Sequence, residues 1–226
     1  MQPQPFSKGA LLARIPEAAV VDLVRSAEEC RYRHGDIIFE RADRGDAVYA
    51  IVSGQVKVYL QHSDGSEILV AMRGPGEVLG EMSLLDGRGR SASASAYDNV
   101  SALKVSRERF QEWLQRHPAA AWVMLEALSQ RLREATDQVG EIALLDVEAR
   151  IARRLWQDFQ RSSADVPATG AKLRVNQGEL ASMLGLTRES VNKHLSRLRG
   201  RNIIGVGGGH VELLDPAALR ALAESL

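Results

Sequence analysis

The chain holds a single cysteine, Cys30, among its 226 residues. One thiol builds no disulfide framework and no cysteine-ligated iron–sulfur cluster, so a reducing, cytoplasmic setting is the simple expectation. The five histidines are scattered without the spacing of metal ligands, and no metal site is expected. No apolar run approaches the ~18 residues of a membrane helix, and nothing near Met1 resembles a secretory signal, so no membrane contact is expected. No nucleophile–base pair stands out, so no catalytic residues are assigned and an enzyme is not expected. Charge of one sign is also lacking: 29 Lys and Arg balance 29 Asp and Glu. The chain as a whole therefore has no pull toward a polyanion.

That balance hides a split. Residues 147–226 carry 12 Lys and Arg against 8 Asp and Glu, a net of +4, which leaves −4 on the rest. A basic end beside an acidic body suggests that only the C-terminal part meets a polyanion. Hydrophobic residues make up 45%, enough for one large domain or two small ones.

From Gly35 to Val105 the pattern is short strands. "DIIFE", "AVYAIVSG", "QVKVYL" and "EILVAM" are short, rich in Val, Ile and Tyr and roughly alternating, with turn signals at 43–46, 53–54, 63–66 and 74–77. Many short strands at close spacing imply a barrel, roll or sandwich. "KGALLARIPEAAVVDLVRSAEEC" before them reads as short helix. After Val105 the period changes: "SRERFQEWLQRHP" is a short helix stopped by Pro118, and a long one follows from Ala119 to Leu145. Leu125, Leu128, Leu132, Ala135, Val139 and Ile142 advance in steps of three and four, the seam of a coiled-coil dimer. The alternative is a helix lying on its own roll, which usually shows a wider stripe. Asp146 interrupts the seam and can cap a new helix, "VEARIARRLWQDFQR", so the hinge is placed there. "SSADVPATGAK" at 162–172 reads as a loop.

"VNQGELASMLGLTRESVNKHLSRLRGRNIIGV" carries the most information. Asn176 can cap a helix with Glu179 three residues on, Gly185 permits a tight turn, and Thr187 caps a second helix. Val191, Leu195 and Leu198 form its inner face; Arg188, Glu189, Asn192, Lys193, Arg197 and Arg199 form its outer one. Two helices about a glycine turn, the second basic, read as a helix-turn-helix. Such a helix enters the major groove with its N-terminal residues at base edges. Arg188 can fork onto guanine O6 and N7, Glu189 can accept from cytosine N4, and Lys193 can reach a base or a phosphate. "NIIGVGGGHVELL" then reads as a two-stranded wing. An ordinary helical hairpin with a solvated basic face is the alternative, and the wing, the charge and the upstream seam weigh against it.

One stretch does not suit a plain roll. "GEVLGEMSLLDGRGRSASASA", 76–96, crowds carboxylates, two arginines, serines and four glycines into a bend. Arg90 can fork onto a phosphate, Ser91 adds a hydroxyl, and backbone N–H groups of a glycine-rich turn form an anion-binding concavity. Glu81 would repel a phosphate, so it should bind a sugar hydroxyl or Arg90 itself. A ligand with both phosphate and ribose satisfies the set. A Glu81–Arg90 pair stapling the roll is the structural alternative.

Together, "GEMSLLDGRGRSA", the long helix ending in "VGEIALLDV" and "LTRESVNKHLSRL" resemble the cAMP receptor protein/FNR family of bacterial transcription regulators over nearly the whole chain. The resemblance implies an α+β fold: a jelly-roll-like cyclic-nucleotide-binding β-roll at 1–117, a dimerisation helix and hinge at 118–146, and a winged helix-turn-helix at 147–226. It implies that Glu81 holds a ribose hydroxyl and that Arg90 and Ser91 hold a cyclic phosphate. Gly80 and the Met82 backbone would line the pocket, with 68–71 as its wall. The family's long helix offers a Thr-Ser pair to the purine; the matching positions are Ala135 and Thr136, with Arg131 one turn before. A methyl at Ala135 does not select adenine as a hydroxyl would, so both cAMP and cGMP are candidate effectors, with cyclic di-GMP an alternative. DNA contacts are expected from Asn176, Gln177, Thr187, Arg188, Glu189, Asn192, Lys193 and Arg197, on a palindromic double-stranded operator with TGTGA-type half-sites. Lys193 stands where relatives often have Arg and lacks the bidentate fork. A homodimer and RNA polymerase are the implied partners. A ligand-independent regulator and a nucleotide-binding regulatory protein without a DNA role are the competing readings.

Overall fold

A computed structural model describes residues 10–61, 67–162 and 167–224; within it, the side chains at 141–143 are left undescribed. The turn read at 63–66 and the Ile142 side chain of the seam therefore lie outside the described residues. The chain divides into two compact units, 1–132 and 133–226.

The first unit opens with a 3-10 turn at Leu11–Arg14 and α1 at Glu17–Arg25. Strands follow: β1 Glu28–Tyr32, β2 Ile37–Phe39, β3 Ala47–Ser53, β4 Val56–Gln61, β5 Glu67–Arg73 and β6 Val78–Leu79. Then come α2 Glu81–Asp86, β7 Ser93–Ala96, β8 Val100–Ser106, α3 Arg107–Arg116 and α4 Pro118–Leu144. Two antiparallel four-stranded sheets result, ordered β1-β8-β3-β6 and β2-β7-β4-β5. β3 shows why both of its faces are apolar. Ala47, Tyr49 and Ile51 join a core shared with Ile38, Val56, Ala94 and Ala96 of the second sheet. Val48 and Ala50 point the other way, into a core with Leu23, Phe110, Trp113, Ala120 and Met124 of the helices. Period-two alternation places both sets on one strand.

Three expectations change here. The N-terminal helix stops at Arg25, and Glu28–Cys30 belong to β1, paired with Ala102–Lys104 of β8. Sheet pairing outweighs the weak helix preference of that stretch. The long helix begins at Pro118 itself, because proline suits the first helical position, where its missing N–H is not needed. The bend at 81–86 is a short helix, α2, entered and left through left-handed glycines at 80 and 87.

The first half of α4 lies on the roll through Ala120 and Met124, with Val123 and Ala127 partly buried. The seam residues Leu125, Leu132 and Val139 stay exposed, the latter two at 69% and 67%. One face of this helix thus rests on the roll, and the apolar residues Leu125, Leu132 and Val139 lie exposed on another.

The second unit contains α5 Val147–Ser162, β9 Lys172–Arg174, α6 Gln177–Leu184, α7 Arg188–Gly200, β10 Ile204–Gly207, β11 His210–Leu213 and α8 Pro216–Glu224. Asp146 caps α5 by accepting from the Ala149 N–H at 2.7 Å. Ile151, Leu155, Trp156 and Phe159 of α5 share one core with Leu180, Leu184, Val191, Leu195, Leu198 and Leu219. The wing has three strands, ordered β10-β11-β9. The third is Lys172–Arg174, at the end of the stretch read as a loop. Three residues are too few to show a period.

Candidate ligand pocket and nucleic-acid interface

In the first unit the glycine-rich cassette places two charged residues inside the protein. Gly80, at the end of β6, has φ 80°. Only glycine fits: the conformation is left-handed, and a Cβ there would collide with Nη1 of Arg90. The turn sets Glu81 at the start of α2, 3% exposed. Its carboxylate accepts from Nη1 of Arg131 on α4. Arg131 also donates to the Val78 carbonyl at 2.9 Å. Burial of an ionised carboxylate requires such a partner. Of the two partners expected for Glu81, a sugar hydroxyl or Arg90, the second is not the one it pairs with here: its ion pair is with Arg131 of the long helix.

Arg90 is 4% exposed. Its Nη1 donates to the Gly80 carbonyl at 2.8 Å and to Ser83 Oγ at 2.9 Å, and Nη2 donates to the Ala47 carbonyl at 2.7 Å. The Asp46 carboxylate lies 3.7 Å from Nη2. The Phe39 ring centroid lies 4.4 Å from Cζ, a cation–π distance. Burial lowers the guanidinium's pKa from its ordinary value, and the nearby Tyr49, Asp46 and Glu81 oppose that shift. Burial also raises the Tyr49 phenol. Nε of Arg90 is buried and makes no hydrogen bond. A buried guanidinium with one unused donor has the chemistry to donate a hydrogen bond from Nε to an anion's oxygen.

Ser91 and Met82 are exposed beside this arginine, the Ser91 hydroxyl 3.7 Å from the Met82 sulfur. Gly80, Glu81, Met82, Arg90, Ser91 and Arg131 are thus brought together. Ala135 and Thr136 stand on α4 in the second unit, both exposed. Two supporting residues escaped the sequence reading. Ser83 is buried and holds Arg90. Arg107 donates to the Leu84 carbonyl at 3.0 Å and the Ser83 carbonyl at 2.9 Å, fixing α2 from the start of α3. Ser83 lies in the cassette and was within reach of inspection; nothing in the spacing signals Arg107.

In the second unit, Asn176 accepts from the Gly178 and Glu179 N–H groups at 2.9 and 3.4 Å, and Thr187 accepts from the Ser190 N–H at 3.1 Å. These two expected DNA contacts therefore also serve as helix caps. Gly185 between the helices is left-handed at φ 61°. Arg150 of α5 donates to the Leu184 carbonyl and closes the end of α6. Arg188, Glu189, Lys193 and Arg197 of α7 are exposed; Asn192 and Gln177 are half-buried. Arg188 and Glu189 are the first two residues of α7, the place from which a recognition helix touches base edges.

Residues 29–117 match the family of cyclic nucleotide-binding domains, and residues 149–222 match the Crp-like helix-turn-helix domains. The cyclic AMP receptor protein of Thermus thermophilus is 34% identical over 207 residues, 91% of this chain and 93% of that one. The chain belongs to the CRP/FNR family of transcription regulators. A CRP-like cAMP-activated global regulator of Mycobacterium tuberculosis is 29% identical over 218 residues, 95% of this chain and 96% of that one. Among solved structures, the c-di-GMP-responsive global regulator CLP of Xanthomonas campestris is 26% identical with a TM-score of 0.78, covering 88% of this chain and all of that one. The family is one of DNA-binding regulators, not of enzymes, and among the described residues no helix is long and apolar enough to cross a membrane.

Proposed function

We propose that the chain is a homodimeric transcription regulator whose affinity for a palindromic operator is set by a cyclic mononucleotide, cAMP or cGMP, bound in the β-roll. Residues 1–117 form the sensor, 118–146 the dimer helix and hinge, and 147–226 the DNA-binding domain. The observation that carries this reading is the buried Arg90 with its unused Nε, adjoining a buried Glu81. The cyclic phosphate meets Arg90 and Ser91, and a ribose hydroxyl meets Glu81. Glu81 is already held by Arg131 of α4. A hydroxyl donating to that carboxylate competes with the guanidinium, so binding acts on the long helix through one ion pair. Effector control requires unequal ligand affinity for two states, typically a coupling of ~1–3 kcal/mol.

The exposed Leu125, Leu132 and Val139 supply the stripe that a second α4 covers. Two recognition helices then read half-sites one helical turn apart, ~34 Å. The regulator works in the cytoplasm, beside RNA polymerase. Cyclic di-GMP is the second reading, favoured by the likeness to CLP. Fluorescence anisotropy of a labelled duplex with two inverted TGTGA half-sites, with and without cAMP or cGMP, tests the proposal. A nucleotide-dependent change in affinity supports it. Strong binding indifferent to every nucleotide contradicts ligand control, and no binding under any condition contradicts this operator.

A further inference from the structure

His194 lies midway along α7, whose exposed residues Arg188, Glu189, Lys193 and Arg197 face outward. Its own side chain is 14% exposed and turned toward α5. Its Nδ1 is buried and makes no hydrogen bond. Oε2 of Glu148, on the first turn of α5, lies 3.9 Å from that nitrogen. That distance is too long for a hydrogen bond. The other oxygen, Oε1, accepts from Nη1 of Arg201 at 2.6 Å. Arg201 is the C-cap residue just past α7, seven positions after His194 and so about two turns further along. Glu148 itself follows directly on the capped start of α5 at Asp146. One carboxylate beside the hinge therefore addresses α7 at its end and near its middle, and only the first contact is closed.

We propose that Glu148, His194 and Arg201 form a proton-dependent clamp that positions the recognition helix. Uptake of a proton by His194 draws the imidazolium onto Glu148, fixes α7 against α5 at two points, and raises operator affinity. The inference rests on α7 being the DNA-reading helix. The carboxylate of Glu148 sets the sign: it attracts an imidazolium and has no such pull on the neutral ring. From α5, besides Glu148, the ionisable groups are Arg150, Arg153, Arg154, Asp158 and Arg161. Arg150 is engaged by the Leu184 carbonyl, Arg153 by the Ala223 carbonyl, and Arg154 and Arg161 by Asp158. From α6 the one ionisable side chain is Glu179, and β10 has none. On α7 itself Lys193 and Arg197 flank the ring in sequence. Histidine charging falls between pH 5 and 8, so the clamp closes as pH falls through that range. Glu148 acts here through α7 and is a positioning residue.

The test uses the full chain and the labelled TGTGA duplex at about pH 6 and about pH 8, at fixed ionic strength and saturating nucleotide. Wild type binds about fivefold tighter at the lower pH, the low end of typical couplings. His194→Gln and Glu148→Gln each lose that difference. His210→Gln, at the exposed edge of the wing, keeps it. A flat wild type, or a full pH effect surviving in His194→Gln, overturns the clamp. Proton NMR titration of the imidazole signals without DNA gives an independent reading: Glu148→Gln lowers the His194 pKa. An unchanged value overturns the clamp whatever the duplex does. Absence of duplex binding at both pH values counts instead against the operator reading, and the titration still decides the clamp.

Discussion

Removing Arg131 isolates the ion pair on which the account of ligand control turns. Glu81 is 3% exposed, and its carboxylate pairs with a guanidinium whose side chain is 23% exposed. Breaking a fully buried pair costs ~3–5 kcal/mol, because the remaining charge is left uncompensated. Arg131 reaches water, and an exposed pair is worth only ~0–1 kcal/mol. A value between these limits, ~1–3 kcal/mol, follows for Arg131→Ala in the nucleotide-free protein. Glu81→Gln alone costs less, since a neutral amide needs no counter-charge. Once the carboxylate is gone, Arg131→Ala loses most of its effect. Urea denaturation of the four members of the double-mutant cycle gives the coupling directly. The expected coupling is ~1–3 kcal/mol, carried by the midpoint with the slope unchanged. A coupling within about 0.5 kcal/mol of zero is ordinary additivity. It would show that Glu81 does not hold α4, and the proposed route from ligand to helix would fail.

Other perturbations separate the parts. Arg90→Gln removes the donors held by the Gly80 and Ala47 carbonyls and Ser83. Each acceptor left unsatisfied costs ~1–3 kcal/mol, so calorimetry should find a lower melting temperature even without nucleotide. Leu132→Glu puts a charge on the exposed seam; sedimentation should find wild type dimeric and the variant monomeric, and a dimeric variant would move the interface elsewhere. Asp146→Ala deletes the α5 cap and should cost ~0.5–2 kcal/mol of stability by urea melts. Arg188→Ala should cost ~1–3 kcal/mol on the operator and relax one base position in a half-site scan; a uniform loss across sequences would make it a phosphate contact.

Much of the fold was legible because it depends on local signals. Asn176, Gly185 and Thr187 mark the helix-turn-helix by capping and by one positive φ, and each does so in the structure. The apolar, Val- and Ile-bearing run of β3 and the heptad steps of α4 are equally local signals. What escaped depends on distance in sequence or on shortness. α2 has six residues between two left-handed glycines, too few to show a period. Glu81 meets Arg131 fifty positions away, and Arg90 is held mainly by backbone carbonyls, which have no residue type to recognise. His194 falls beside the inward positions Val191, Leu195 and Leu198, where a polar residue passes for a helix spacer. Its neighbour Glu148 lies on another helix.

Calorimetric titration with cAMP, cGMP and cyclic di-GMP, on wild type and on folded Arg90→Gln, tests the central claim most directly. The account predicts micromolar binding of a cyclic mononucleotide that is lost in the variant. Binding that survives in the variant, or no binding of either mononucleotide by the wild type, would contradict it.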